Sequence, residues 1–318
     1  MTELFATSTD LAAGYRLVFG RDPDPAGFAA HLSALHKDPW TTRQLHTMLL
    51  NSNEYLRGIG AYELVDIGGV FAYVNTQEPE FGRHIANIKT WEPHIVETIT
   101  SNLSAGQVFI DVGANVGIMS FKAAQVVGPD GKVIGFEPNE ENARCFLRGV
   151  LANGFQSFVR LYGFALSDRS DLFALEGISN THLIRPEDGI RLTQSVRGDE
   201  LLAAEPAVHF IKLDIEGHEP FAMKGLADTI RRHKPMVLCE FNPRCLKDHI
   251  GIPPDDFADQ IFELTRKIRV LEHDGKATTL DDARALTKMW ALKNEEAVET
   301  GLLPDGMLHF DLLFRTFA

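Results

Sequence analysis

The sequence predicts an α/β fold, a doubly wound and mostly parallel sheet preceded by a small helical bundle. Three observations predict it. First, compact apolar runs recur at Val108-Phe109-Ile110, Val133-Ile134-Gly135-Phe136, Val208-His209-Phe210-Ile211 and Met236-Val237-Leu238. They show little apolar–polar alternation, which marks strands buried on both faces. Second, amphipathic stretches at 119–127, 141–151 and 221–233 separate the runs, and strands alternating with helices build a parallel sheet covered on both sides. Third, a glycine-rich turn follows the first run directly. Near the end, MLHFDLLF at 307–314 reads as a last strand.

Upstream of about residue 60 the pattern is helical. Leu11, Tyr15, Leu17, Val18 and Phe19 recur at helical spacing, with Gly20 placed to cap the end. Asp22-Pro23-Asp24-Pro25 is a turn, and Pro25 suits the first position of a helix carrying Phe28, Ala29, Leu32 and Leu35. A third helix follows Asp38-Pro39, with Leu45, Met48, Leu49 and Leu50 inward. The segment 64–74, centred on Gly68-Gly69, reads as a hairpin, and helical character resumes from Ile85 to Leu103. The expected division is a helical domain at 1–60 and a larger α/β domain at 61–318. Internal repeats and low-complexity segments are not evident.

Composition narrows the function classes. The chain has 318 residues, 44% hydrophobic and 24% charged, enough for a sizeable core without staples. Its formal net charge of −13, with no basic run, argues against gripping a phosphate backbone, so nucleic acid is not an expected partner. No stretch approaches the roughly 18 consecutive apolar residues of a membrane helix. Met1-Thr2-Glu3-Leu4 lacks the start of a signal peptide, so cytoplasmic residence is expected. Cys145, Cys239 and Cys245 form no CxxC pair, so neither a disulfide framework nor a thiolate zinc site is indicated.

The stretch VFIDVGANVG at 108–117 carries most of the functional information. A buried strand ends in Asp111, a turn holds Gly113 and Gly117, and a helix follows. Glycines let the backbone approach a ligand closely, and the helix start offers free N–H groups. The second strand ends in Glu137, where an acid can accept hydrogen bonds from ribose hydroxyls. Dinucleotide enzymes usually show GxGxxG, whose middle glycine makes room for a pyrophosphate. Here Ala114 and Asn115 occupy the turn, and Asp111 would repel a pyrophosphate. An acid at that place suits the cationic ammonium end of S-adenosylmethionine.

These residues resemble the FkbM family of methyltransferases. The matching pieces are WEP at 91–93, VFIDVGANVG at 108–117, GFEPNEENA at 135–143, FALSD at 164–168, IKLDIEGHE at 211–219 and LCEFNP at 238–243. They run in the family's order, and FDLLF at 310–314 fits its last strand. The resemblance implies a class I methyltransferase fold, Rossmann-like, with seven strands and the last one antiparallel. It implies S-adenosylmethionine as cofactor and methyl transfer to a hydroxyl of a sugar, glycan or secondary metabolite. By position, Asp111, Gly113, Ala114, Asn115 and Gly117 are expected at the methionine end, and Glu137 with Pro138 at the ribose. Ala165 and Asp168 are expected near the adenine, and Trp91-Glu92 over the cofactor, although Trp91 reads equally well as a helix-packing aromatic. The N-terminal residues Tyr15-Arg16, Gly20 to Gly27 and Leu50-Asn51-Ser52-Asn53-Glu54-Tyr55 resemble a small helical domain of bacterial glycan-related proteins. For it, a docking or homo-oligomer role is the expectation.

A hydroxyl acceptor needs its proton taken, by a base or with help from a metal. Asp214 ends the fourth strand and is followed by Glu216, Gly217, His218 and Glu219. His218 is a candidate base because its ordinary pKa lies near neutrality; a surface histidine at a helix start accounts for it equally. Asp214, after Ile211-Lys212-Leu213, is expensive to bury without a partner. A metal reading groups Asp214, Glu240 and Asn242 around Mg²⁺ through oxygen ligands. The other reading has Glu240 and Asn242 bind substrate hydroxyls directly. Residues 178–192, including Asn180, Thr181, His182, Arg185 and Arg191, line an acceptor pocket or form a solvated loop. Two rival functions remain: a nicotinamide-dependent oxidoreductase and a non-catalytic cofactor-binding scaffold.

Overall fold

The computed structural model describes residues 5–19, 22–41, 44–45, 48–49, 61–78, 81–272 and 275–317. The chain divides into two compact units, Met1–Glu63 with Asn75–Gln77, and Leu64–Val74 with Glu78–Ala318.

In the first unit, helices Ser8–Phe19 and Pro25–Lys37 form where the apolar spacing predicts them. Asp24 caps the second by accepting the Gly27 N–H, and Pro25 gives up an N–H that would have had no partner. Leu11, Tyr15, Leu35, Leu45 and Leu49 make the core, and the Tyr15 hydroxyl meets His31 Nδ1 at 3.0 Å. Residues 44–45 and 48–49 are helical. The rest of the expected third helix, the Gly20 cap and the motif at 50–55 lie outside the described residues.

A hairpin of β1 (Tyr62–Asp66) and β2 (Phe71–Asn75) follows, of which residues 64–74 belong to the second unit. Its turn closes by Ile67 N–H to Val70 O at 2.7 Å, with Gly68 and Gly69 at φ of 58° and 91°. The strands β3 (Val108–Val112), β4 (Lys132–Phe136) and β5 (Val159–Tyr162) follow, and then the short β6 (Ala165–Ser167). Next come β7 (Asp171–Gly177), β8 (Thr181–Ile184), β9 (Leu192–Arg197), β10 (Phe210–Leu213) and β11 (Met236–Phe241). The last are β12 (Ile268–Leu271), β13 (Ala277–Leu280) and β14 (Phe310–Arg315).

Eight of these form one sheet in the order β13-β12-β14-β11-β10-β3-β4-β5. The pairs β4–β5, β3–β4, β10–β3 and β10–β11 are parallel. Every residue of β3 and β10 is buried, as two-sided coverage requires. The last strand, β14, lies antiparallel between β11 and β12. The sheet thus has eight strands where the family resemblance implies seven. The additional edge strand β13, Ala-Thr-Thr-Leu, pairs antiparallel with β12 and is partly exposed.

Residues 165–197 correct a second expectation. The segment 178–192 is no plain loop: it contributes β8 to a separate sheet of order β6-β9-β7-β8. That small sheet is joined to the helix Glu219–Gly225 at close range, because a Cβ on Gly225 would overlap the Ser167 carbonyl oxygen. Backbone cannot move aside as a side-chain tip can. Gly225→Ala is expected to destabilise the protein by about 2–3 kcal/mol through overpacking, read as a lower denaturant midpoint with an unchanged slope.

Candidate functional site

The site is built on register. Residues of alternate position in a strand share a face, and Asp111 of β3 lies opposite Lys212 of β10. Asp214 follows the end of β10, while Glu240 of β11 lies opposite Asp311 of β14. One edge of the parallel sheet therefore gathers four carboxylates and one ammonium.

Lys212 is 5% exposed. Its Nζ is 3.0 Å from Asp214 Oδ2 and 3.6 Å from Asp111 Oδ1, and it donates to the Gly113 carbonyl at 3.5 Å. Burial alone would lower its pKa, but Asp214 and Asp111 outweigh burial and hold it above the ordinary lysine value. Asp111 is fully buried and takes the Ser120 hydroxyl at 2.6 Å. Burial raises its pKa, and Lys212 opposes that. Asp111 thus faces a resident cation inside the protein, where the sequence reading had it meet a ligand's ammonium.

The turn after β3 keeps its predicted shape for steric reasons. Gly113 has φ of 81°, and a Cβ there would overlap the Asp214 carbonyl; Gly117 has φ of 99° at the start of helix Ile118–Val127. Asn115 is left-handed at φ 49°. Glu137 steadies it: one carboxylate oxygen accepts the Asn115 N–H and the other the Asn139 N–H, both at 2.8 Å. Glu137 is buried, and burial pushes its pKa up to about 7 against those two N–H groups. Asn139 also donates to Ile178 O at 2.7 Å and Asn142 to Ser179 O at 2.9 Å. Three asparagines therefore fasten the β7–β8 turn beside the glycine turn, since Asn115 Nδ2 also meets Asn180 Oδ1 at 3.3 Å.

These pieces border a cavity of about 270 Å³. Of the predicted cofactor residues, Glu92, Gly113, Ala114, Asn115, Glu137, Pro138 and Ala165 line it; Asp111, Gly117 and Asp168 do not. Asp168 instead pairs with Arg169 at 3.3 Å. Asn180 and Thr181 are on the wall, whereas Arg185 pairs with Asp188 at 3.1 Å and Arg191 bonds the Gly177 carbonyl. Trp91 is on the wall and packs edge-on against Phe81, so the packing and lining readings both hold.

The far part of the wall carries Asp214, Glu216, Glu240, His309 and Asp311. Glu92, left-handed at φ 38°, joins them from the start of helix Pro93–Ser101. Burial, then Asp214 and Asp311, push the Glu92 pKa up to about 8; burial and Asp214 push Glu216 up to about 7. Glu240 is raised well above the carboxylate range by burial and by four acidic neighbours. Its Oε2 has no hydrogen-bond partner among the described residues, while Oε1 lies 3.7 Å from His309 Nδ1. His94 Nε2 sits 3.3 Å from Asp311 Oδ2.

Two sequence expectations change here. His218 lines the cavity but is buried, with Nε2 on the Ser167 hydroxyl at 3.0 Å. Burial pushes its pKa down to about 4, so the ring is neutral near pH 7 and a weak proton acceptor. The metal grouping does not assemble. The Asn242 side-chain oxygen caps helix Pro243–Ile250 by accepting the Cys245 N–H at 3.2 Å, and Asp214 is held by Lys212. Asn242 turns its amide nitrogen, a donor, toward Glu240 at 3.5 Å. Among the described residues no group of three or more His, Cys, Asp or Glu is placed to hold a metal ion. The sequence motifs assign no role to Lys212, His309 and Asp311; a lysine inside a buried apolar strand is the available signal for the first.

Comparison with known proteins puts a class of chemistry beside this geometry. Residues 111–267 match the family described as the methyltransferase FkbM domain, so the chain carries a methyltransferase domain. It is similar to the hexuronic acid methyltransferase AglP of Haloferax volcanii, 25% identical over 218 residues, covering 66% of this chain and 85% of that protein. Among solved structures it is similar to a methyltransferase FkbM from Methylobacillus flagellatus KT, at 18% identity and a TM-score of 0.35. That match covers 72% of this chain and 48% of the other, so the chain spans about half the length of that structure. It is also similar to a SAM-dependent O-methyltransferase from Thermotoga maritima, at 14% identity and a TM-score of 0.40, covering 80% and 78% of the two chains. Among the described residues no helix is long and apolar enough to cross a membrane.

The raised carboxylates make stability fall with pH. Unfolded, Glu92, Glu137 and Glu216 titrate near 4.5; folded, they hold their protons to about 8, 7 and 7. Their stabilising contribution is complete below the unfolded value and is lost as pH rises through the folded ones. His218 has the opposite sign: its folded value of about 4 lies below 6.5, so stability is lost as pH falls through that window. Three carboxylates outweigh one histidine above about pH 4.5, so the ligand-free protein is expected to show a higher Tm near about pH 5 than near about pH 8. Glu92→Gln should flatten the alkaline limb, measured by thermal unfolding between pH 5 and 8.5.

Proposed function

We propose that the methyltransferase FkbM domain at residues 111–267 works with S-adenosylmethionine and methylates a hydroxyl of a sugar-like or secondary-metabolite acceptor. The observation that carries the reading is the acidic wall of the cavity beyond the glycine turn. Glu92, Asp214, Glu216, Glu240 and Asp311 line it, and Lys212, the ammonium on that wall, is already held by Asp111 and Asp214. A nearby cation favours the ionised form of these raised carboxyl groups and a pyrophosphate opposes it, so the wall suits a sulfonium and an ammonium. The acid groups that suit a cationic donor are those of the wall, since Asp111 is already paired with Lys212.

S-adenosylmethionine supplies a methyl group on a positively charged sulfur. The Gly113–Asn115 backbone and Ala114 suit its methionine end, because the left-handed turn leaves no Cβ at Gly113. Glu137 acts on the ribose side chiefly by shaping the backbone at Asn115 and Asn139, and Pro138 and Ala165 border that side. Glu240 Oε2, buried and without a hydrogen-bond partner among the described residues, is consistent with a ligand-binding wall built at some cost. Asp214 is the better proton acceptor for the substrate hydroxyl, since its carboxylate is 37% exposed and lines the cavity. His218 serves by orienting its neighbours. No metal is needed in this reading. The name of the Haloferax relative supports a sugar as the acceptor class. The domain division at 1–60 and 61–318 goes with this assignment.

The test is side-by-side calorimetry with S-adenosylmethionine and NADH, followed by transfer of a labelled methyl group. Binding of S-adenosylmethionine alone is expected, and binding of NADH alone sinks the proposal. Asp214→Asn should lower kcat about 100-fold or more through loss of the base, a larger effect than its effect on cofactor affinity. Full turnover in that variant would move the base elsewhere.

A further inference from the structure

The cavity has two electrostatically different ends, and strand order separates them. Neighbouring strands lie about 4.8 Å apart, and β11 and β14 are two and three positions from β3. Glu240 and Asp311 are therefore roughly 10–15 Å across the sheet from the β3 turn, and about one strand spacing more from the β4 turn. At the β3–β4 end the one wall carboxylate, Glu137, accepts backbone N–H groups at both oxygens. At the β11–β14 end Glu240 is 7% exposed, lines the cavity, and leaves Oε2 without a partner among the described residues. Asp311 lies opposite it in register, and Asp214, Glu216 and Glu92 complete the group.

The positive charge available to these acids is limited. Lys212 reaches Asp214 but also answers Asp111; His94 is bonded to Asp311, and His309 stands 3.7 Å from Glu240 Oε1. Mutual repulsion is visible in the acids themselves: after burial, Asp214 and Asp311 both help hold Glu92 and Glu240 in the protonated form. An acceptor bearing a carboxylate or phosphate would add to that repulsion. An uncharged polyol would leave it in place. A protonated amine would remove it, and would give Glu240 Oε2 the donor it lacks.

We propose that the β11–β14 end of the cavity binds an acceptor that carries a protonated amino group beside its hydroxyls, an amino sugar or aminopolyol, with Glu240 and Asp311 as the residues that select it. The inference rests on the methyl-transfer reading above.

The experiment incubates the full chain with S-(trideuteromethyl)adenosylmethionine and a metabolite extract of the source cells. Compounds that gain the trideuteromethyl group are identified by mass after passage over cation and anion exchangers at pH 7. The product is expected on the cation exchanger, and in its flow-through after acetic anhydride has capped the amine. A product in the neutral or anionic fraction overturns the inference and leaves methyl transfer standing. No labelled product in any fraction, despite cofactor binding, overturns both. With the purified acceptor, Glu240→Gln and Asp311→Asn remove, at nearly constant volume, the carboxyl groups that a bound ammonium would pair with. Each should raise KM for the acceptor at least tenfold, and by a clearly larger factor than it raises the Kd for S-adenosylmethionine. Unchanged KM in both variants also overturns the assignment.

Discussion

The ammonium of Lys212, held inside the sheet between Asp111 and Asp214, is the interaction on which the site depends. β10 places a four-carbon stem in a fully buried strand, and its charge is tolerable only because two carboxylates arrive from both sides. The reverse also holds. Asp111 has no exposure, and without Lys212 its charge would be stranded at the root of the glycine turn. Removing one member of such a buried group generally costs about 3–5 kcal/mol, more than a merely local effect. The same ammonium touches the Gly113 carbonyl, so the charge pair and the turn geometry are one construction.

Glu137 does for the turn what Lys212 does for the strands. Its two oxygens take the N–H groups of Asn115 and Asn139, residues on consecutive βα turns, and so tie the ends of β3 and β4 together. Asparagines then extend the tie to residues 178–180 of the small sheet. The cavity wall is thereby preorganised by backbone donors and amides rather than by flexible charged side chains. Its carboxylates are left to interact with each other and with what enters.

Much of this was legible in the chain. Strands β3, β4 and β11 announce themselves as unbroken apolar runs, and the glycines at 113 and 117 sit where the backbone must turn left-handed. The edge strands were not legible: Ala-Thr-Thr-Leu of β13 has neither an apolar run nor a clear alternation, and only pairing with β12 makes it a strand. Site roles were read less well than site positions. Asp111 reads as a ligand contact in the sequence because Lys212 lies far away along the chain, and register alone brings them together. His218 has a useful pKa as a free residue, but burial takes it away. Asn242 has the right atoms for a metal, yet a helix start claims its oxygen first. Tertiary pairing decided each case, and a local reading carries no record of it.

The position of β14 has a consequence for how the molecule comes into being. It lies between β11 and β12, both of which precede it in the chain. A ribosome delivers those two strands first, so each has an open hydrogen-bonding edge until residues 310–315 are made. Open edges of apolar strands are templates for unwanted partners. The strand that closes them also brings Asp311 to Glu240. Completion of the sheet and completion of the acidic wall are therefore a single event during synthesis, and a nascent chain that has lost its competition with aggregation is also one that never had a finished site.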